Sequence, residues 1–401
     1  MTGKRPVRIL ILPSWYPPDG GGFFRDHAEA LNNKDFEVHV LVNRIISFTG
    51  NSINEIICSR KKSRQIENGI FVSRRSTLKW PKFEEWNLRR WANKYIGHFE
   101  QYMMEYGLPD IMLVQGSLWA GVVAAKIKRK YHIPYILVEH RSRFTGYPDL
   151  PQEYFKPWYY KYLQSAFSQA DRLVCVSASL KDKISEIGEV PAAGISVIPN
   201  LINTGFFSYL ERANEKQPFV FLGVGLLRKV KGFDILLRAF ASFLDQHDGE
   251  FFLRIAGAGP DLAILKKLAW QLGIYDNVTF LGKVSHERIR DEMQRSNVFV
   301  LASRFEAFGV VLIEALSTGC PVIATRSGGP ESIVNEDNGY LVAAENEQEL
   351  ADAMGKMYLN YWNFNPELIR KEALETYNAE SICEQYRILI RETIDEQSII
   401  S

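Results

Sequence analysis

Residues 297–319 read NVFVLASRFEAFGVVLIEALSTG. The run Asn297–Ala302 is short, apolar and rich in valine, as a buried strand requires. Val310–Leu316 is an apolar helical run that stops near Gly319, a residue suited to a helix C-terminus. The unit is therefore strand, loop, helix, the repeating piece of an α/β sheet. Glu306 falls on the loop, and Glu314 falls in the first turns of the helix. A loop that feeds a helix N-terminus presents backbone N–H groups where partial positive charge gathers, and anions bind there. A carboxylate on each side accepts hydrogen bonds from sugar hydroxyls. The combination suits a sugar joined to a diphosphate.

The same alternation extends in both directions. Val7–Leu12, Phe36–Val42, Ile111–Gln115, Ile136–Glu139, Leu173–Val176 and Ser196–Pro199 read as strands with helical patterns between most of them. The series restarts at Phe219–Leu222 and continues through Leu253–Ala256, Val278–Leu281, Val298–Ala302 and Val322–Thr325. Apolar strands alternating with helices imply parallel sheets covered on both faces. Two Rossmann-like domains follow, 1–200 and 201–379, with a linker near Asn200–Gln217 that holds Gly205 and a polar run. Residues 380–401 contain a strong helical pattern. Ligands of such sheets sit at the carboxyl ends of the strands.

The Glu306-x7-Glu314 pattern resembles the signature of retaining glycosyltransferases of the GT-B fold, in particular the large family 4 group. Further segments resemble the same family in the same order: Gly225–Gly232, Ile255–Asp261, Val278–Gly282, Cys320–Thr325 and Gly328–Glu331. They cover about residues 195–345, and a weaker likeness runs through the first 200. The resemblance implies two Rossmann-like domains facing a central cleft. The first would hold the acceptor and the second a nucleotide-diphosphate sugar. It also implies that the last helix packs back on the first domain.

Several residues are expected at that cleft. Glu306 would face the transferred sugar, and Phe308, Gly309 and Val310 would supply N–H groups. Glu314 would bind the ribose hydroxyls. Lys231, on the loop after Phe219–Gly225, would neutralise the leaving diphosphate. Many relatives carry arginine at the position of Leu226. Arg228 is its candidate replacement, or else a solvated loop charge like Lys229. Pro17–Phe24 contains Gly20, Gly21 and Gly22, which permit a tight turn with exposed N–H groups. In similar enzymes this loop lies near the donor diphosphate, while the plainer reading is a surface turn. The spacing matches neither G-x-G-x-x-G nor a P-loop. His140 follows a strand, where relatives place a histidine near the anomeric carbon; alternatively it is structural. Arg141 and Arg143 either bind phosphate or are solvated.

Composition fits a two-domain protein. The chain has 401 residues, 46% hydrophobic and 24% charged, with a net charge of +1. That total hides an asymmetry. Residues 1–200 carry 28 Lys and Arg against 19 Asp and Glu, and the remainder 20 against 28. Either the halves meet different partners or they attract each other. Nucleic acid is disfavoured by the near-neutral total and the lack of a reader motif. Cys58, Cys175, Cys320 and Cys383 form no CxxC pair, so neither a disulfide framework nor a zinc site is indicated, which suits the cytoplasm. No metal is expected, because no DxD-type motif accompanies the donor site. The apolar run Ile9–Leu12 is too short for a signal core, and no stretch is long enough to span a bilayer.

Two segments, Lys79–Tyr95 and Lys156–Tyr162, mix aromatic and basic residues. Either they are core aromatics with a solvated basic face, or they lie on an anionic membrane. The expected function is transfer of a sugar from a nucleotide-diphosphate sugar to a glycan or lipid-linked glycan, in cell-surface polysaccharide synthesis. The resemblance further implies retention by front-face substitution. The alternatives are a GT-B sugar-nucleotide epimerase and a catalytically silent sugar-nucleotide-binding subunit.

Overall fold

A computed structural model describes residues 5–17, 21–47, 62–141, 157–210 and 218–400, with side chains to residue 397. Pro18 to Gly20, Cys58, Arg143, Lys156 and the polar run 211–217 lie outside the described residues.

The first sheet consists of β1 (Val7–Pro13), β2 (Phe36–Ser47), β3 (Ser63–Glu67), β4 (Ile70–Lys79), β5 (Ile111–Gln115), β6 (Tyr135–Glu139), β7 (Arg172–Cys175) and β8 (Ile195–Val197). Its order is β3-β4-β2-β1-β5-β6-β7-β8. Every pairing is parallel except β3 with β4, which are joined by Asn68-Gly69 with both residues at positive φ. The second sheet is wholly parallel. It contains β9 (Phe219–Val224), β10 (Phe251–Ala256), β11 (Val278–Gly282), β12 (Val298–Leu301), β13 (Val322–Arg326) and β14 (Gly339–Ala343), in the order β11-β10-β9-β12-β13-β14. Each strand expected from the sequence is present within a few residues. The hairpin β3–β4 and the edge strand β14 are additions.

Alternate residues of the central strands are buried on opposite faces. On one face of the first sheet, Ile9 and Ile11 pack with Phe24 and Ala28 of α1 (Gly22–Leu31). On the other, Leu10 and Leu12 pack with Trp91 and Tyr95 of α2 (Glu84–Tyr106), Ile127 of α3 (Val122–Tyr131) and Leu163 of α4 (Pro157–Ser168). Two-sided burial explains why these strands read as continuous apolar runs. Each such side chain contributes about 1.5–3 kcal/mol. After α5 (Ala178–Gly188), the second sheet repeats the scheme. Phe221 and Val300 meet Phe240 of α6 (Phe233–Gln246), Leu265 of α7 (Leu262–Gln271) and Met354 of α10 (Glu347–Leu359). Phe299 and Leu301 meet Met293 of α8 (His286–Arg295) and Leu312 of α9 (Val310–Ser317).

Beyond α11 (Pro366–Tyr377), the chain returns to the first sheet as α12 (Ala379–Ile400). Ile382, Cys383, Tyr386 and Ile390 of α12 share a core with Ile9, Phe24 and Ala28. Cys175, Cys320 and Cys383 are buried, and among the described residues they form no disulfide.

Sheet order fixes where a ligand belongs. In each sheet the order runs outward in both directions from one pair of neighbours, β1 with β5 and β9 with β12. Loops leaving the two strands diverge, and a crevice opens at their carboxyl ends.

Candidate active site

At the second sheet, the crevice lies between the loops that follow β9 and β12. The first loop turns through Lys229–Lys231 and reverses at Gly232, with φ 64°. A Cβ there would sit 1.8 Å from the Ala302 carbonyl oxygen, so only glycine lets the two loops touch. Arg304 clamps them. Its Nη1 and Nη2 donate to Asp234 at 2.8 Å each, its Nε donates to Glu345 at 2.6 Å, and its backbone N–H donates to the Val230 carbonyl at 2.8 Å. Burial opposes ionisation of Asp234, but the Arg304 hydrogen bonds and charge outweigh it and hold the carboxyl below its ordinary range.

This clamp brings Lys231 and Glu306 together from 75 residues apart: Nζ lies 2.5 Å from Oε2. Ser303 Oγ donates to the same oxygen at 3.4 Å. The Glu306 backbone is fixed on both sides, donating to the Ser327 carbonyl at 2.9 Å and accepting from Gly329 N–H at 2.8 Å. Phe308 and Gly309 lead into α9, with Gly309 at φ 103° and no side chain capping the helix. In its first turn Leu312 N–H donates to the Gly309 carbonyl at 2.8 Å, and the N–H groups of Val310 and Val311 lack carbonyl partners within the helix. Glu314 follows on α9, 8% exposed. Burial and then the charge of Asp26 push its carboxyl up to about 8. Asp26 belongs to α1 of the first domain, so the two carboxyls face each other across the cleft. Gly22 also borders it, because a Cβ there would lie 3.9 Å from His286 of α8.

The first domain supplies the opposite wall. Gly21 takes φ 76°, where a Cβ would come within 2.9 Å of both Trp15 and Phe24. It starts α1, which also lacks a side-chain cap. Two helix N-termini, α1 and α9, thus border one cleft. His140 stands at the end of β6, its ring 4.9 Å from Phe24 and 5.3 Å from Phe23. Both ring nitrogens are engaged: Nε2 lies 2.6 Å from Gln115 Oε1 and Nδ1 lies 3.0 Å from Asn200 Oδ1. Burial, helped by His27 and Arg141, pushes its pKa down to about 3, so the imidazole is neutral. Glu139 beside it is fully buried and accepts from Ser117 N–H, Ser117 Oγ, His140 N–H and Arg141 N–H.

The structure therefore gathers Gly21, Gly22, His140, Lys231, Glu306, Phe308, Gly309, Val310 and Glu314 around one cleft. Arg228 and Leu226 are exposed on the β9 loop. Arg141 stacks over Trp15 at 5.0 Å. Sequence reasoning did not pick out Asp26, Gln115, Asn200, Ser303 or the Arg304 clamp. Gln115 ends a strand at a switch point, which was a usable signal; the others had none. Among the described residues no cluster of three or more His, Cys, Asp or Glu side chains is arranged to hold a metal ion.

Known proteins match this architecture along nearly the whole chain. Residues 22–206 match Glycosyltransferase Family 4, and residues 210–374 match Glycosyl transferases group 1. The chain belongs to the family 4, group 1 glycosyltransferases. It is 27% identical over 334 residues to an uncharacterized glycosyltransferase of Methanocaldococcus jannaschii, covering 79% of this chain and 83% of that one. The GPI3 subunit of the phosphatidylinositol N-acetylglucosaminyltransferase of Saccharomyces cerevisiae is 29% identical over 226 residues, 55% of this chain and 48% of the relative. The solved Anabaena Alr3699/HepE complex with UDP superposes with a TM-score of 0.72 at 18% identity, covering 96% of this chain and all of that one. The fold is GT-B, and the protein is a glycosyltransferase.

Proposed function

We propose that the protein moves a sugar from a nucleotide-diphosphate sugar to a hydroxyl of a lipid-linked glycan, with retention of anomeric configuration, in building a cell-surface polysaccharide. The observation that carries this reading is the Lys231–Glu306 pair, set at the switch point of the second sheet beside the N-terminus of α9. Uridine is the first base to test, because the Anabaena neighbour holds UDP.

Lys231 and the N-terminus of α9, with Gly309 and Val310, stabilise the diphosphate from one side. Gly21, Gly22 and the start of α1 do so from the other. Arg228, exposed on the same loop, adds charge at the rim. Glu306 accepts hydrogen bonds from the transferred sugar while Lys231 shares its charge with the phosphates. Glu314, protonated near neutral pH, both donates to and accepts from the ribose hydroxyls. His140 closes the wall beside the anomeric carbon as an uncharged ring. Double displacement needs a free carboxylate beneath that carbon. Among the described residues Glu139 accepts from four donors and Glu306 pairs with Lys231 through Oε2, and the reaction proposed is front-face substitution. There the bond from the anomeric carbon to the diphosphate oxygen breaks as the acceptor oxygen bonds on the same face. The acceptor proton passes to the departing diphosphate. Fixed protein charge takes the part of a divalent ion.

The acceptor enters over the first domain. β4 ends at Lys79 on the cleft side, and α2 starts just beyond. Trp80, Phe83 and Trp86 there are 46%, 63% and 50% exposed, among Lys79, Lys82, Arg89 and Arg90. Exposed aromatics beside four basic residues suit the headgroup region of an anionic membrane, with Glu84 and Glu85 on the same turn and Arg89 paired with Glu85. Proton NMR of a reaction run in EDTA tests the chemistry: an α-linked donor should give an α-linked product. A β-linked product, or turnover that stops without metal, would overturn the reading.

A further inference from the structure

We propose that Gln115 is a positioning residue that holds His140 in a single neutral tautomer beside the reacting sugar. The inference rests on the reading that His140 borders the anomeric carbon.

A neutral imidazole has one donor and one acceptor nitrogen. Gln115, fully buried at the end of β5, touches two imidazoles at once. Its Oε1 lies 2.6 Å from His140 Nε2 and its Nε2 lies 3.3 Å from His27 Nδ1. An amide has one acceptor end and one donor end, so the bridge has a direction. Gln115 Nε2 donates to His27 Nδ1, and His140 Nε2–H donates to Gln115 Oε1. His27 then carries its proton on Nε2, a buried atom with no hydrogen-bond partner, in a ring packed 4.3 Å from Tyr386 of α12. Burial also keeps His27 neutral, with its pKa pushed down to about 4. On His140, Nδ1 is left as the acceptor; Asn200 Oδ1 lies 3.0 Å from it, so the neutral ring requires the Asn200 amide to present its nitrogen there instead.

Charged groups around His140 act in the same sense. Arg141 disfavours a second proton on the ring, while Glu139 spends its charge on Ser117 and on the N–H groups of His140 and Arg141. Neutrality matters because the transition state of glycosyl transfer is electron-poor at the anomeric carbon. An imidazolium beside that carbon would oppose the developing charge. A glutamine reports polarity without charge, whereas a glutamate at the same place would stabilise imidazolium.

The experiment is kcat against pH, from about 5.5 to 8.5, for wild type, Gln115→Glu, Asn200→Asp, His140→Gln and the Gln115→Glu/His140→Gln double variant. A carboxylate on either ring nitrogen should bring the His140 titration into the range. Turnover of Gln115→Glu should then fall at least tenfold from pH 8 to 5.5, beyond any fall in wild type. The double variant should lose that limb. Asn200→Asp should show it too, which covers failure of Gln115→Glu to fold. Profiles parallel to wild type in both would overturn the proposal. So would imidazole nitrogen shifts that report His140 as charged or Nδ1-protonated in wild type at pH 6.5. If His140→Gln keeps wild-type turnover, the placement of His140 at the sugar fails, while the nitrogen shifts still decide the tautomer.

Discussion

Glu314 is a carboxyl inside a domain cleft, raised to about 8 by burial and by Asp26. An acid whose pKa rises on folding opposes folding once the pH exceeds its unfolded value of about 4.5, and the opposition grows until the pH reaches about 8. Across that window each step of one in pH costs the folded state about 1.4 kcal/mol. Glu314→Gln should therefore melt close to wild type near pH 5 and clearly above it near pH 8.5, by differential scanning calorimetry without ligand. A gap that stays constant with pH would contradict the burial account. Glu306, Glu314 and Lys231 were legible in the sequence because their type and their place after an apolar strand belong to one local pattern. His140 was legible as a strand-end histidine, but its neutrality was not. That property depends on Gln115, His27 and Asn200, which lie 25, 113 and 60 residues away in sequence and meet it only through the sheet. Likewise the Arg304 guanidinium gains its meaning from Asp234 and Glu345, partners that no spacing rule connects.

At the scale of elements, α2 divides its aromatics between two environments. Trp91, Tyr95, Phe99 and Tyr102 face the core, while Trp86 faces outward with Arg89 and Arg90. The mixed aromatic and basic segment thus contains both readings offered by the sequence: a core face and an exposed basic aromatic end. Vesicle flotation tests the exposed end. Wild type should float with vesicles containing anionic lipid, and Trp80→Ser/Phe83→Ser/Trp86→Ser should float at least fivefold less while keeping its fold. Equal recovery of both, or none with wild type, would end the membrane reading. The elements missed in the sequence have local causes. Arg74 and Arg75 interrupt the apolar pattern of β4, although Asn68-Gly69 was a turn signal available to find the hairpin. β14 is a partly exposed edge strand of five residues, of which only Gly339 and Val342 are buried.

For the whole molecule, two sheets with the same switch-point logic place their crevices face to face, and α12 ties the far end of the chain back to the start. Arg172–Glu396 and Arg391–Asp35 join α12 to the first domain. The domain count and the parallel character of both sheets were legible because two-sided burial writes long apolar runs. The pairing of α1 with α9 across the cleft was not, since it depends on how two cores settle against each other. None of the described helices is long and apolar enough to cross a membrane. The central claim is that Glu306 acts on the sugar in transfer while Lys231 carries the diphosphate. The measurement that tests it most directly is donor affinity by calorimetry alongside kcat for wild type, Glu306→Ala and Lys231→Ala. Glu306→Ala should bind a UDP-sugar within about threefold of wild type and lose ~100-fold or more in kcat, and Lys231→Ala should lose both affinity and rate. Undiminished turnover in Glu306→Ala, or equal loss of affinity and rate in it, would contradict the account.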